Sequence, residues 1–482
     1  MLKKKTPKQS KLEMVSIDQL VPSGHLLRKI DDAIDFSFIE QKAAPLYCED
    51  NGRPAIHPEV LFKMLFIGYL FGIRSERQLM REIQVNVAYR WFLGFDLTDK
   101  IPDPSVFSKN RKRRFNKHPE IFQEIFDEIV RQAIKRKLVA GNILYTDSTH
   151  LKANANNNKA TQKLVEKSRA AYLDELDRAV TADREAHGLK PLKPKENKPE
   201  VKEVRTSTTD PDAGMMNRDR KPLGFFYLDH RTVDGQANII VDTYITPGNV
   251  NDDVPYLDRL DRVLERFDFD VEAVGLDAGY DAAFICQGLE NRGIEGVIAD
   301  GRPKPAADRL DKRDFLYDRE RDCYFCPRGQ RLGYRTTDRE GRKEYRSHAR
   351  VCRPCPLRAQ CTRRRDGVKI VRRHVWEGAK ERALARRLTE EGRAIFARRQ
   401  ETVERSFADA KELHGHRNAR MRGLLRVSEQ ALLSAACQNM KKIALAVFLY
   451  LFHVETDTIP PNKSRNWLLE RLKANFALAL QN

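Results

Sequence analysis

Three acidic residues lie far apart in the chain, each in a setting that suits chemistry. Asp147 follows the apolar run "NILYT" and Asp277 follows "VEAVGL", and small residues come after both. The C-terminal edge of an α/β sheet is where binding sites assemble, and two aspartates brought together there could share metal ions. An aspartate after a strand is also a common helix N-cap or turn former, and each of the two taken alone fits that role. The third acid lies in "RRQETVERSFADAKELHG", where Glu404 and Lys411 are seven residues apart, two turns along one helix face. A carboxylate and an ammonium on that stripe, beside Arg398, Arg399 and Arg405, suit a phosphodiester and its metals. A plain charged helix face has the same composition, and Glu401 or Glu412 would serve equally. A second cluster is sulfur. "CYFCP" and "CRPCPLRAQC" give C-x2-C, a gap of 25 residues, then C-x2-C-x5-C. That is zinc-ribbon spacing, with Cys323, Cys326, Cys352 and Cys355 as ligands and Cys361 able to replace one of them. The plain alternative is a set of reduced, unliganded thiols. A closed tetrathiolate would be structural, because it leaves no open position on the metal.

Lys plus Arg number 88 against 69 Asp plus Glu, a net charge of +19 over 482 residues. A field of that sign favours polyanions, with nucleic acid first and anionic membrane second. The chain is long enough for two to four domains, and 41% hydrophobic with 33% charged residues reads as soluble and globular. The basic start lacks the apolar core of a secretory signal. The late apolar run at 443–452 is about half of what a membrane span requires and reads as a buried helix, so no membrane partner is expected. Five of the eight cysteines fall between Cys323 and Cys361, which in an unsecreted chain favours metal over disulfides. The expected compartment is a bacterial cytoplasm, in association with the nucleoid.

The elements that must position these residues follow from periodicity. Helical spacing marks 57–69, then 76–83 behind a Ser75/Gln78 capping box, then 86–93. Asp103-Pro104 offers an N-cap with proline at the first helical position, and the following helix carries "KNRKRRF". Short helices ending on a basic one suggest a DNA-binding bundle using Lys109, Arg111, Lys112, Arg113 and Arg114, whereas the plain reading is a solvated charged face. From Gly141 the pattern changes to a strand at 142–146 ending on Asp147. A hairpin follows at 225–233 and 239–245, turning at Asp234-Gly235, then a helix at 254–266. A short strand ends on Asp277, followed by a helix at 281–291 and a strand from Gly296. This is an α/β layout with mixed pairing. Lys152 and Asn154 stand where they could touch phosphate, in a stretch that also reads as an ordinary Asn-rich loop. His150 and His230 read as hydrogen-bonding or structural histidines, and Asp252 and Asp253 in "TPGNVNDD" as caps of the next helix. Two segments interrupt the pattern: a polar one at 156–221 with a helix at 164–187, and an Arg- and Cys-rich one at 301–375. The apolar stretch "EQALLSAACQNMKKIALAVFLYLF" reads as a core helix buttressing the one with Glu404.

Together "YTDSTHLKAN", "VGLDAGYDA" and "RRQETVERSFADAKELHG" resemble the DDE motifs of bacterial insertion-sequence transposases. "HPEVLFKMLFIGYLFGIRSERQLMREIQVNVAYRWFLGFD" is similar to their helical N-terminal domain, and the Cys-rich insertion to members of the eleven-eighty-two group. The resemblance implies an RNase H-like catalytic core, a mixed sheet flanked by helices, with Asp147, Asp277 and Glu404 as its acidic triad. An all-α N-terminal DNA-binding domain (1–136) would precede the first part of the core (137–300). A zinc-ribbon-like insertion (301–375) and C-terminal helices carrying the catalytic Glu (376–482) would follow. The implied activity is metal-dependent cleavage at transposon ends and strand transfer into target DNA. Two Mg2+ or Mn2+ ions would serve it, with Asp147 bridging them, alongside a structural Zn2+. The implied partner is double-stranded DNA, bound by a dimer. In the group's tyrosine-arginine-glutamate-lysine signature, Glu404 and Lys411 hold the expected separation, but Gln400 occupies the arginine slot and Arg399 is its neighbour. Lys411, Arg399, Arg405 and Lys152 are the expected phosphate contacts near the acids. The rival readings are a zinc-containing DNA-binding regulator without catalysis and a stand-alone nuclease on the same core.

Overall fold

The strand "GFFYLDHRTVD" is buried along its whole length, a condition met only at the centre of a sheet covered on both faces. The computed structural model, which describes residues 14–48, 55–167, 172–193, 200–217, 223–301 and 308–455, places it there. The strands of this sheet are β1 (Ile143–Lys152), β2 (Ala160–Lys167), β3 (Glu200–Ser207), β4 (Gly214–Met216), β5 (Gly224–Asp234), β6 (Ile240–Pro247), β7 (Ala273–Leu276) and β8 (Glu295–Ile298). The central order is β6-β5-β1-β7-β8, with β5 antiparallel to both β1 and β6, β7 parallel to β1, and β8 parallel to β7. A hairpin antiparallel to the first strand and two parallel strands on its other side fit an RNase H-like core. Strands β2, β3 and β4 extend the sheet from the far end of β5.

Local signals set most boundaries. The expected helices at 57–69, 76–83 and 86–93 are Pro58–Leu70, Glu76–Val85 and Val87–Leu93. Ser75 accepts from the Gln78 backbone N–H at 3.3 Å, but the Gln78 side chain turns to Glu82 at 2.6 Å, so only half of the capping box forms. Two expectations need correction. The first strand does not stop at Asp147 but runs on to Lys152, because its other edge stays paired with β5 as far as Phe226. The polar segment is not mainly helical from 164: Leu164 lies in β2, opposite Glu203 of β3, and the helix is Tyr172–Ala186. Part of the linker that follows this helix lies outside the described residues, as do residues 1–13.

The helix Leu424–Glu455 is long and apolar enough to cross a membrane, yet most of its apolar stretch is buried inside the protein. It packs on β6 and on the N-terminal helices Leu26–Ala33, Pro58–Leu70 and Ile121–Lys135. Asn439 on this helix meets the edge of β6, accepting from Ile240 N–H at 2.9 Å and donating to Ile240 C=O at 2.7 Å. One apolar core therefore runs without a break from Leu27 to Ala444. The Cys-rich insertion forms a second antiparallel sheet, with β9 (Leu316–Asp318), β10 (Cys323–Phe325), β11 (Arg331–Thr337), β12 (Arg342–Arg346) and β13 (Ile370–His374) in the order β13-β12-β11-β10-β9.

A buried ion network lies under β1. Arg231, opposite Asp147 on β5, donates through Nε to Asp229 Oδ2 at 2.9 Å and through Nη1 to the Ser406 carbonyl at 3.2 Å. His416 Nε2 meets the same Asp229 oxygen at 2.9 Å, and Thr243 donates to the other at 2.6 Å. Arg231, Asp229 and His416 are wholly buried. Burial alone would raise the Asp229 carboxyl; Arg231, then His416 and Thr243, outweigh it and hold it below the ordinary carboxylate range. Removing one partner of such a pair strands the other charge in the core. Asp229→Asn is expected to cost about 3–5 kcal/mol in urea unfolding, and a loss well under that would show that the network contributes little.

Candidate active site

Asp147 and Asp277 become neighbours through strand register. Ile143–Thr146 of β1 pair in parallel with Ala273–Leu276 of β7, so the next step falls on Asp147 beside Asp277. There β7 ends while β1 continues, leaving the β1 edge open. Close approach of the two strands needs Gly275, where a Cβ would meet the Tyr145 ring at 2.7 Å. Asp277 caps the short turn Ala278–Tyr280, its Oδ1 accepting from Gly279 N–H at 2.8 Å. The plain capping role is thus real for Asp277, and it fixes that carboxylate next to Asp147. Asp147 accepts from Ser148 N–H at 2.7 Å. Burial, then the negative charge of Asp277, pushes the Asp147 carboxyl up to about 7, against the pull of Arg399.

Glu404 arrives on a helix with an unusual turn. Residues Gln400–Glu404 form a π-helix leading into Arg405–Leu413, and Glu404 N–H bonds to the Arg399 carbonyl at 3.2 Å, five residues back. A π-turn absorbs one extra residue and is often found at functional sites. Here it sets Arg399 against Glu404 as an α-helix would set an arginine at 400. This accounts for the displaced arginine in the sequence. Arg399 Nη2 lies 2.9 Å from Asp147 Oδ2 and Nη1 lies 3.7 Å from Glu404 Oε1, bridging the two acids. Its side chain is only 7% exposed, against 46% for Glu404. As placed, Arg399 serves the acids, not a phosphate. Lys411 donates to Thr149 Oγ1 at 2.5 Å, on the β1 face that also carries Asp147. Arg405 pairs with Asp409 at 3.0 Å. The Lys152 side chain is exposed, and its backbone is tied to Arg417 and Ala419.

Among the described residues, no group of three or more His, Cys, Asp or Glu side chains is gathered closely enough to hold a metal ion. The donor set nonetheless fits a hard cation: adjacent aspartates, one with its carboxyl raised by burial and by its neighbour's negative charge, and a glutamate linked to Asp147 through a guanidinium.

The basic helix divides in two. Arg111 is buried, with Nε on Glu429 Oε1 at 2.7 Å and Nη1 on Glu76, which corrects its expected contact with DNA. Arg114 is likewise engaged, donating to Asn110 at 2.6 Å and to the Leu46 carbonyl at 3.2 Å and lying over the Tyr47 ring. Lys109, Lys112 and Arg113 are exposed. Sequence reasoning missed Arg74 and Arg77, which with Lys112, Arg420 and Arg426 line a groove of about 580 Å³ between the N-terminal helices and the long C-terminal helix. The arginine pair after Gly72 was the available signal.

The cysteines also regroup. Cys326, Cys352, Cys355 and Cys361 line one small cavity of about 30 Å³. Cys323 is not among its lining residues: it is wholly buried on β10, opposite Gly333 and Asp318. Gln330 N–H points at Cys326 Sγ at 3.4 Å. Burial raises the Cys361 thiol, and Cys352, Cys326 and Cys355 add to this while Lys369 opposes it.

His230 is buried and bonded to Thr246 at 2.8 Å, a structural role as expected. Asp252 departs from its expected role. The helix Tyr256–Phe267 is N-capped at Pro255 with no side-chain cap bond, and Asp252 instead accepts from Ser148 Oγ at 2.8 Å.

Two family models match the chain, a transposase domain over residues 15–113 and a transposase DDE domain over 325–444. The second includes Glu404 and Lys411 but neither aspartate. No curated protein matches the chain. Among solved structures, the chain is similar to a piggyBac transposase synaptic complex with hairpin DNA at 10% identity and a TM-score of 0.28, covering 95% of this chain and 85% of that one. It is also similar to a Mos1 transposase paired-end complex with the left transposon end at 15% identity and a TM-score of 0.16, over 52% of this chain and 61% of that one.

With the Asp147 carboxyl raised to about 7, an incoming cation must displace its proton below that pH. Mn2+ titrated into the protein should bind about tenfold more tightly per pH unit up to about 7 and level off above. Calorimetry in buffers of different ionisation enthalpy checks this through the released proton, and pH-independent binding would contradict it.

Proposed function

We propose that Asp147, Asp277 and Glu404 are the catalytic carboxylates of this chain, a transposase of the DDE type. The observation that carries this reading is the parallel register that sets Asp147 beside Asp277, with Glu404 brought to the same edge across Arg399. Two divalent cations, Mg2+ or Mn2+, would supply the clamp on attacking and leaving oxygens of an in-line phosphoryl displacement. Asp147, anchored within β1, would be the ligand common to both ions, and Asp277 and Glu404 would each hold one. Arg399 balances Asp147 and Glu404 while no cation is bound. Lys411, held at Thr149 two residues beyond Asp147, suits a phosphate of the strand being cut. Cleavage of transposon ends and joining of the freed 3′-hydroxyl to target DNA both follow from that displacement.

Double-stranded DNA is the proposed partner, bound by a dimer that holds two ends, with no role for a membrane. The proposed location is the bacterial cytoplasm, at the nucleoid. Exposed Lys109, Lys112 and Arg113, the groove with Arg74 and Arg77, and Lys152 and Arg405 nearer the acids are the proposed phosphate contacts. For the insertion we propose a structural Zn2+ held by Cys326, Cys352, Cys355 and Cys361. Four thiols around one cavity support this set over one containing Cys323.

Asp147→Asn, Asp277→Asn and Glu404→Gln should each lower strand cleavage and joining by about 10³-fold or more, with unchanged circular dichroism. Wild-type joining by any one of them refutes the triad. Elemental analysis of the purified protein should find one zinc per chain, retained by Cys323→Ser and lost by Cys361→Ser. The opposite pattern would restore the ligand set read from spacing.

A further inference from the structure

Asp252 lies after β6, outside all three motif segments, and the turn that carries it reads as a helix cap. The structure gives it other work. Its Oδ1 accepts from Ser148 Oγ at 2.8 Å, one residue beyond Asp147. Its Oδ2 lies 3.7 Å, and Asp277 Oδ1 3.0 Å, from the point that a Cβ on Gly279 would occupy. Three carboxylates on three separate elements thus approach the open edge of β1 where β7 stops.

A second observation comes from Tyr280, which follows Gly279. Its ring is 1% exposed, and its hydroxyl has no hydrogen-bond partner among the described residues. Burial raises this phenol well above its ordinary range, and the charges that add to the effect are Asp147, then Asp252, then Asp277. A buried hydroxyl within electrostatic reach of three carboxylates and bonded to none of them leaves a donor for something held among them. Leaving such a group unsatisfied is costly unless a ligand completes it. A divalent cation carrying its own water meets both needs, since a hard ion of this kind keeps several waters and a coordinated water can bond to the phenol.

We propose that Asp252 is a fourth carboxylate of the cation site, beside Asp147 and Asp277 at the open edge of β1, with the Tyr280 hydroxyl bonding to the water shell of the bound ion. The proposal rests on the reading of Asp147 and Asp277 as metal ligands. It assigns Asp252 a role that Glu404 does not fill, because Glu404 lies across Arg399.

Mn2+ alone, titrated into the full-length protein and followed by calorimetry and electron paramagnetic resonance, tests it. Asp252→Asn should weaken Mn2+ binding at least tenfold, while Asp258→Asn, an exposed change on the next helix, should leave it unchanged. Ser148→Ala should keep binding within twofold of wild type. If Ser148→Ala reproduces the loss, Asp252 acts only through the serine and the proposal falls. If Asp252→Asn binds as wild type while Asp147→Asn does not, the proposal falls and the triad stands. If Asp147→Asn also binds as wild type, the triad reading fails with it. Should Asp252→Asn not fold, the unmodified protein decides. Fe2+ with ascorbate and peroxide should cut the backbone near residues 147, 252 and 277, and Mg2+ should suppress the cuts. Cuts at 147 and 277 without one at 252 would overturn the proposal.

Discussion

The buried pair between Asp229 and Arg231 is the constraint on which the rest of the site depends. Arg231 stands opposite Asp147 across the β1–β5 ladder and reaches the backbone of the helix that carries Glu404. His416 brings the loop after that helix to the same aspartate. Two elements of the proposed site, distant in sequence, are thereby referred to one fixed point inside the sheet. A purely apolar contact could hold them together, but it would not fix their register. Directional bonds to a single carboxylate do.

Around that point the molecule arranges charge in opposition. Asp147, Asp277 and Asp252 gather at a half-exposed edge, and Arg399 is the cation that answers Asp147. The guanidinium keeps Asp147 and Glu404 from repelling one another without occupying the space beside Asp277.

Much of this was legible in the sequence. Apolar runs ending on Asp147 and Asp277, and the seven-residue spacing of Glu404 and Lys411, pointed to the acids because strand and helix periodicity determine where side chains face. What escaped has physical reasons. The length of β1 was hidden because polar residues after Asp147 look like a loop until β5 is known to pair with them. Arg399 appeared out of place because linear spacing assumes 3.6 residues per turn, and the π-turn breaks that assumption. Arg111 looked like a surface cation because composition does not reveal Glu429, more than three hundred residues away, and Arg114 because it does not reveal the Leu46 carbonyl and the Tyr47 ring. Cys323 seemed equivalent to Cys326 by spacing, although strand alternation buries one and directs the other to the cavity. Asp252 read as a cap because aspartates before helices usually are.

The long helix Leu424–Glu455 serves the N-terminal bundle and the sheet at once, and a single apolar core spans both. The two parts are therefore not beads on a string. Loosening the bundle exposes the flank of the helix that also backs β6, so unfolding in one part propagates to the other as a cooperative event. A pull on the N-terminal helices would be transmitted through this shared beam to the sheet.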